Sequence, residues 1–251
     1  MYAILGGSGF SDRSIFTVNE RIEVTTPYGP TSSPVVLGRL GGQDVVFIHR
    51  HGFSHQFAPH RVPYRANIWA LKQMKVAGII GVGTAGGIAE PLGPGGIAIV
   101  DQLIDYKWGR RVTYFDSPET GVQHVDLTWP FDRTMHAKLV AAAKCLAIPV
   151  MRHGVYACTQ GPRLRTAAEV RRIARDGGDL IGMTLYPECA LARELGVPYA
   201  GICVSVNHAA GMGSSQRGIA FARLTEIVNQ SVRKVLRVVE RMVRAENEVC
   251  V

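Results

Sequence analysis

The chain has 251 residues, 47% of them hydrophobic and 19% charged, with 28 glycines and 13 prolines; this balance predicts one folded domain with a sizeable core and excludes a mainly disordered chain. A formal net charge of +8 points to an anionic partner, whether nucleic acid, acidic lipid or an anionic substrate. No apolar run reaches the ~18–20 residues of a membrane span, Met1-Tyr2-Ala3-Ile4-Leu5 lacks the length and charge of a secretory signal, and five cysteines without a Cys-x-x-Cys pair suit buried thiols in a reducing cytoplasm.

Residues 2–5 read as a first strand, followed by Gly6-Gly7-Ser8-Gly9. Glycines let backbone N–H groups approach an anion and the Ser8 hydroxyl adds a donor; a tight turn is the alternative. Asp12 stands where a dinucleotide fingerprint needs its third glycine. Residues 35–39 and 45–49 read as paired strands joined at Gly41-Gly42. His49-Arg50-His51-Gly52 follows, with His55 and His60 close by. Metal clusters usually add carboxylates or cysteines, and residues 49–60 contain neither. An Arg beside a His at a strand end suits an oxyanion, gripped by the guanidinium fork. His49, His55 and His60 read as ordinary hydrogen-bonding histidines.

Residues 67–75 read as a helix and 76–82 as a strand buried on both faces, since the run is apolar without alternation. Gly81-Val82-Gly83-Thr84-Ala85-Gly86 matches G-x-G-x-x-G, with Asp105 roughly twenty residues on. Pro91, Gly93, Pro94, Gly95 and Gly96 cannot continue the helix that a dinucleotide site needs. The segment is therefore expected to be a loop presenting Thr84, with an NAD-dependent oxidoreductase as a minor rival. Residues 97–100, 154–158, 180–183 and 199–206 read as further strands, and 167–176 and 186–195 as helices. Thr166 and Glu169 fit a capping box. Met183-Thr184 and Asn207-His208-Ala209 each follow a strand, and Glu188 falls just inside a helix. A lone Asn in such a loop is ordinarily turn chemistry. The last helix, 222–245, has an apolar stripe of Leu224, Val228, Val232, Val235, Val239 and Met242. Its six basic against two acidic residues read as a solvated face rather than a nucleic-acid surface, with no binding signature elsewhere. The pattern predicts an α/β chain, a single domain over 1–251 with a central mixed β-sheet flanked by helices, and sites beyond strand ends.

Taken in order, these motifs resemble the trimeric purine nucleoside phosphorylase and methylthioadenosine phosphorylase family, over roughly residues 3–239. The resemblance is carried by Gly6-Gly7-Ser8-Gly9, Arg50-His51-Gly52, Tyr64-Arg65-Ala66-Asn67-Ile68-Trp69-Ala70-Leu71, Gly86-Gly87, Asp101-Gln102-Leu103-Ile104-Asp105, Gly161-Pro162-Arg163, and Met183-Thr184 with Pro187-Glu188. Family members cleave purine nucleosides with inorganic phosphate, giving a free base and ribose 1-phosphate. The resemblance implies that Ser8, Arg50, His51 and Thr184 bind phosphate, along with Gly83 and Thr84, where the family has a different small-residue string. It implies that Met183 packs under the ribose and that Asn207, flanked by His208 and Ala209, reads the purine. It also implies a homotrimer, or a dimer of trimers, with no metal and no organic cofactor. A neighbour would complete the 5′ pocket, with His124, Tyr114 and Phe115 as candidates.

Asn207 sets the expected base. An amide can accept from a protonated N7 and donate to O6 at once, whereas a 6-amino group would leave its donor end unpaired, at about 1–3 kcal/mol. Adenine-type relatives carry Asp at Asn207 and a second Asp at Ala209, so a 6-oxopurine is expected here. Arg165 departs from the Glu that reads N1–H in such relatives; either it turns to solvent or it contacts O6 or another group. No histidine follows His208, whereas ordinary purine nucleoside phosphorylases bind the 5′-hydroxyl with one. Ile219, Phe221 and Leu224 could form an apolar wall for a methylthio group or pack the last helix. The expected substrate is 5′-methylthioinosine, and Gly154 to Leu164 is similar to the bacterial enzymes acting on it. Inosine or guanosine, and methylthioadenosine, are the alternatives.

Overall fold

The computed structural model describes residues 1–7 and 16–244, without the Arg223 side chain; Ser8 lies outside the described residues. Among the described residues, nine strands form one sheet in the order β2-β3-β4-β1-β5-β8-β7-β6-β9. In chain order they are β1 (Tyr2–Gly6), β2 (Phe16–Ile22), β3 (Val35–Leu40), β4 (Gln43–His49), β5 (Ile79–Gly87), β6 (Ile97–Tyr106), β7 (Met151–Thr159), β8 (Leu180–Gly182) and β9 (Tyr199–His208). β1 pairs in parallel with β4 and β5, while β3 pairs antiparallel with β2 and β4. β5 also pairs in parallel with β9 along Ile79–Gly87. That extra pairing closes β5, β8, β7, β6 and β9 into a ring, which removes the open edges those strands would otherwise leave.

Among the described residues, five α-helices cover the sheet: α1 (Tyr64–Gln73), α2 (Arg133–Cys145), α3 (Ala167–Arg175), α4 (Leu185–Glu194) and α5 (Leu224–Arg244). Two apolar clusters result. One joins β1 and β5 residues to Ile68 and Leu71 of α1 and Leu185 and Leu191 of α4. The other joins Ile80, Ile202 and Val204 to Leu139 of α2 and Val235, Val239 and Met242 of α5. Thus the apolar stripe of the last helix faces the core from Val232 onward, while Leu224 and Val228 are half-buried. Each fully buried Val or Leu side chain contributes about 1.5–3 kcal/mol relative to exposure.

The structure departs from the sequence reading at several places. β5 runs on through Gly87, so Gly83 and Thr84 sit on a strand and not in a loop. Glycine makes this possible by permitting close approach: a Cβ on Gly81 would lie 1.8 Å from Tyr199 Oη, and one on Gly87 would lie 1.7 Å from the Leu92 carbonyl oxygen. The prolines fall beyond it, the first in a short 3-10 turn, Glu90–Leu92. β2 has no predicted counterpart because Glu20 interrupts the alternation of Phe16, Val18 and Ile22, at the register shift between Val18 and Glu20, and Thr17 to Arg21 are exposed. α2 is likewise unanticipated, although Asp132 caps it by accepting from the Met135 N–H, and Met135, Leu139, Ala142 and Ala143 repeat at helical spacing. The expected capping box at α3 is present in both directions. Among the described residues, no helix is long and apolar enough to cross a membrane.

Candidate active site

The ends of β1, β4, β5 and β9 surround a cavity of about 260 Å³. Its wall brings together Gly7, Arg50, His51, Gly83, Thr84, Met183, Thr184 and Asn207. A smaller recess of about 50 Å³ shares Gly86, Leu164, Ile181, Met183 and Asn207 with it. Segments far apart in sequence meet here because the parallel strands deliver their C-terminal ends to one side.

Arg50 is wholly buried, as is Glu188. Its Nε donates to Glu188 Oε1 at 2.5 Å and its Nη2 to Glu188 Oε2 at 2.9 Å. Nη2 also donates to the Leu5 carbonyl, and Nη1 to that of Val82. Burial alone would lower the Arg50 pKa; the Glu188 carboxylate outweighs it and holds the guanidinium above its ordinary range. Of the guanidinium's five N–H donors, these contacts leave one, on Nη1. That nitrogen lies beside Gly7, where an added Cβ would sit 3.3 Å away. The expectation of a two-pronged guanidinium grip on an anion is therefore corrected. The fork holds Glu188, because a buried charge without a partner costs several kcal/mol.

His51 donates from Nδ1 to the Phe57 carbonyl at 2.7 Å; a carbonyl only accepts, so the proton is on Nδ1 and Nε2 carries the lone pair. Burial, reinforced by the nearby Arg50 and His55 charges, lowers the His51 pKa to about 4 against the raising effect of the Phe57 carbonyl. The ring is thus neutral near pH 7. His55 stacks on it at 4.4 Å and also lines the cavity, contrary to its reading as an ordinary histidine. Thr184 is buried. Its N–H donates to Tyr156 Oη at 3.0 Å, and its hydroxyl does not cap α4.

Asn207 donates from Nδ2 to the His208 carbonyl at 2.5 Å. That carbonyl fixes which end of the amide is which, leaving Oδ1 as acceptor and the second Nδ2 hydrogen as donor. Arg165 does not turn to solvent. It lines the smaller recess and donates to Glu169 Oε1 at 2.9 Å. Glu169 also holds Arg163 and the Thr166 N–H, and these donors keep its carboxyl well below the usual range. Ala209 lines the same recess and offers no polar side chain there.

Two expected positions move. Ile219 faces the smaller recess with Arg165 and Asn207, while Phe221 and Leu224 line the larger cavity. His208 lines neither; its Nδ1 accepts from the Ser214 N–H at 3.2 Å. Tyr114 is buried against Tyr28 and Trp69 and donates to the Arg65 carbonyl, so its own core holds it away from a neighbour's pocket. His124 is exposed and Phe115 half-buried, both outside the cavity.

Arg110 was not legible in the sequence. Its Nη1 donates to the Met183 carbonyl at 2.7 Å and its Nη2 to that of Gln160 at 2.7 Å, with longer contacts to Tyr64 Oη and the Tyr186 and Thr159 carbonyls. It ties the loop after β7 to the loop after β8. No spacing announces such a residue, because most of its partners are backbone carbonyls. Gly161, at φ +63°, lets Met183 settle: a Cβ there would lie 2.4 Å from Met183 Sδ.

Comparison with known proteins places the chain in a family. The profile of the phosphorylase superfamily matches residues 1–244. A Pseudomonas syringae pv. tomato protein described as "Probable S-methyl-5'-thioinosine phosphorylase" is 40% identical over 245 residues, covering 98% of this chain and 99% of its own. A Moorella thermoacetica protein described as "Probable 6-oxopurine nucleoside phosphorylase" is 41% identical over 229 residues, covering 91% and 86%. The solved methylthioadenosine phosphorylase of Schistosoma mansoni, in complex with adenine, superposes with a TM-score of 0.90 at 30% identity, covering 98% of this chain and 91% of that one. With a matched profile over nearly its whole length and a shared mixed α/β fold, the chain belongs to the phosphorylase superfamily.

Proposed function

We propose that the protein is a pentosyltransferase that cleaves 5′-methylthioinosine with inorganic phosphate, giving hypoxanthine and 5-methylthioribose 1-phosphate. The observation that carries this reading is the Asn207 amide, whose orientation is fixed by the His208 carbonyl. Its Oδ1 matches a protonated N7 and its free Nδ2 hydrogen matches a 6-oxo group. The apolar Phe221 and Leu224 on the cavity wall suit a 5′-methylthio substituent, and the Pseudomonas relative is described as acting on that nucleoside.

Phosphorolysis passes through an oxocarbenium-like ribose, so positioning and electrostatics supply most of the acceleration. Phosphate would meet the Gly7 backbone, the remaining Nη1 hydrogen of Arg50 and the Thr84 and Thr184 hydroxyls. Ser8 would join them. A neutral His51 would accept from the protonated oxygen of hydrogen phosphate. Met183 would lie under the sugar, and Asn207 would stabilise the leaving purine as charge develops on it. Phosphate is a co-substrate; no metal or organic cofactor enters the scheme.

The same reading places the enzyme in the cytoplasm as a homotrimer, or a dimer of trimers. Phe221, 66% exposed on the cavity wall, supports a neighbour covering the 5′ end. The deciding experiment compares phosphate-dependent kcat/KM for methylthioinosine, methylthioadenosine, inosine and guanosine. A clear win for methylthioadenosine, inosine or guanosine would replace the substrate with that one.

A further inference from the structure

A second cluster of ligand-type side chains lies apart from the cavity. Asp101 of β6, His136 of α2 and His153 of β7 each bring one donor atom within 4.8 Å of the others, and none lines either recess. Irregular pairing puts them there. Between Val100–Gly154 and Gln102–Val155 the ladder takes two steps on β6 for one on β7, leaving Asp101 as the extra residue. Between Ala98–Met151 and Val100–Gly154 the excess is on β7, at Arg152 and His153. Such bulges re-aim side chains, and His153 Nδ1 comes to 2.7 Å from Asp101 Oδ2. The His136 and His153 rings stack at 5.4 Å and 28°.

His136 is already held as a metal ligand would be. Its Nε2 lies 2.7 Å from the Arg152 carbonyl, which only accepts, so Nε2 carries the proton and Nδ1 the lone pair. Donation of the second ring N–H to a carbonyl is the outer contact that orients metal-bound histidines. All three residues stand on strands or a helix, the rigid elements that keep ligands in register. Two imidazoles and one carboxylate are borderline donors that suit zinc over magnesium or calcium.

We infer that Asp101, His136 and His153 form a site for a divalent zinc-class cation, tying α2 to β6 and β7, with water completing the coordination. Tetrahedral ligands at about 2.0–2.1 Å from zinc stand roughly 3.3 Å apart, so the site forms by small side-chain shifts. Where His153 binds through Nδ1, the proton it now shares with Asp101 leaves to solvent.

The test is calorimetric titration of untagged full-length protein with zinc chloride in phosphate-free buffer, alongside thermal unfolding with and without zinc. The expected result is one high-affinity site and a raised Tm, as linkage requires of a ligand that binds the folded state. His153→Ala and, separately, Asp101→Asn should each weaken zinc at least tenfold and reduce the Tm rise at a given zinc concentration. His153 is 74% exposed at its side chain, so its replacement leaves the fold and phosphorolysis intact. Absence of binding at millimolar zinc, or equal binding by the wild type and both variants, would overturn the assignment.

Discussion

Arg50 and Glu188 form a two-pronged ion pair that is wholly shut from solvent, 138 residues apart in sequence, with Tyr199 Oη donating a third hydrogen bond to Glu188 Oε2 at 2.7 Å. Glu188 therefore presents Arg50 to the cavity with one N–H free. Replacing Glu188 with Gln leaves a buried guanidinium without its counter-charge. We expect a loss of about 3–5 kcal/mol in urea unfolding, with a raised KM for phosphate in whatever folds. A change below about 1 kcal/mol would show that the pair does not hold the site.

His51 gives the protein an acid-sensitive element. Its folded pKa, lowered chiefly by burial, is about 4 against 6.5 for the free side chain. Between those values the unfolded chain binds more protons, so stability rises with pH across that window and is lost as pH falls through it. The contribution is up to about 3 kcal/mol. Urea unfolding at pH 4.5 and pH 7 should show the difference, and His51→Gln should flatten it. An unchanged pH profile in the variant would assign the effect to other groups.

Asn207→Asp should move preference toward 6-aminopurines. The carboxylate cannot donate to O6, and it faces the His208 carbonyl where the amide donated. We expect the ratio of kcat/KM for methylthioinosine over methylthioadenosine to fall by roughly 5- to 150-fold, matching the ~1–3 kcal/mol of an unpaired buried polar group. A constant ratio would mean that another residue reads the base.

Arg110→Ala should unfasten Met183 and Gln160 together, because both carbonyls lose their donor. The nucleoside KM should rise about tenfold, with a smaller change in the phosphate KM, since Arg110 lines neither recess. Steady-state kinetics in both substrates separates the two. Equal rises would point to general loosening of the fold.

Much of this was readable from local pattern. Apolar runs without alternation marked the buried strands, Thr166 and Glu169 marked the start of α3, and short motifs at strand ends named most of the residues that meet in the cavity. β2 was hard to read because its middle is exposed and Glu20, at a bulge, interrupts the alternation of Phe16, Val18 and Ile22. The Gly81–Gly86 run misled because glycine marks turns in most contexts, whereas here it admits Tyr199 and Leu92 against a strand.

By itself, the sequence determined the α/β alternation, the family resemblance and the residue types offered to an anion and a purine. These depend on periodicity, capping and motif spacing, which are local properties of the chain. Only the tertiary structure decided how those residues are used. It set the fork of Arg50 on Glu188, the proton of His51 on Nδ1, the Asn207 amide by the His208 carbonyl, and Arg110 across two loops. It also brought Asp101, His136 and His153 together through misregistered strands. Hydrogen-bond direction and side-chain convergence depend on partners distant in sequence, and those partners meet only once the sheet has closed.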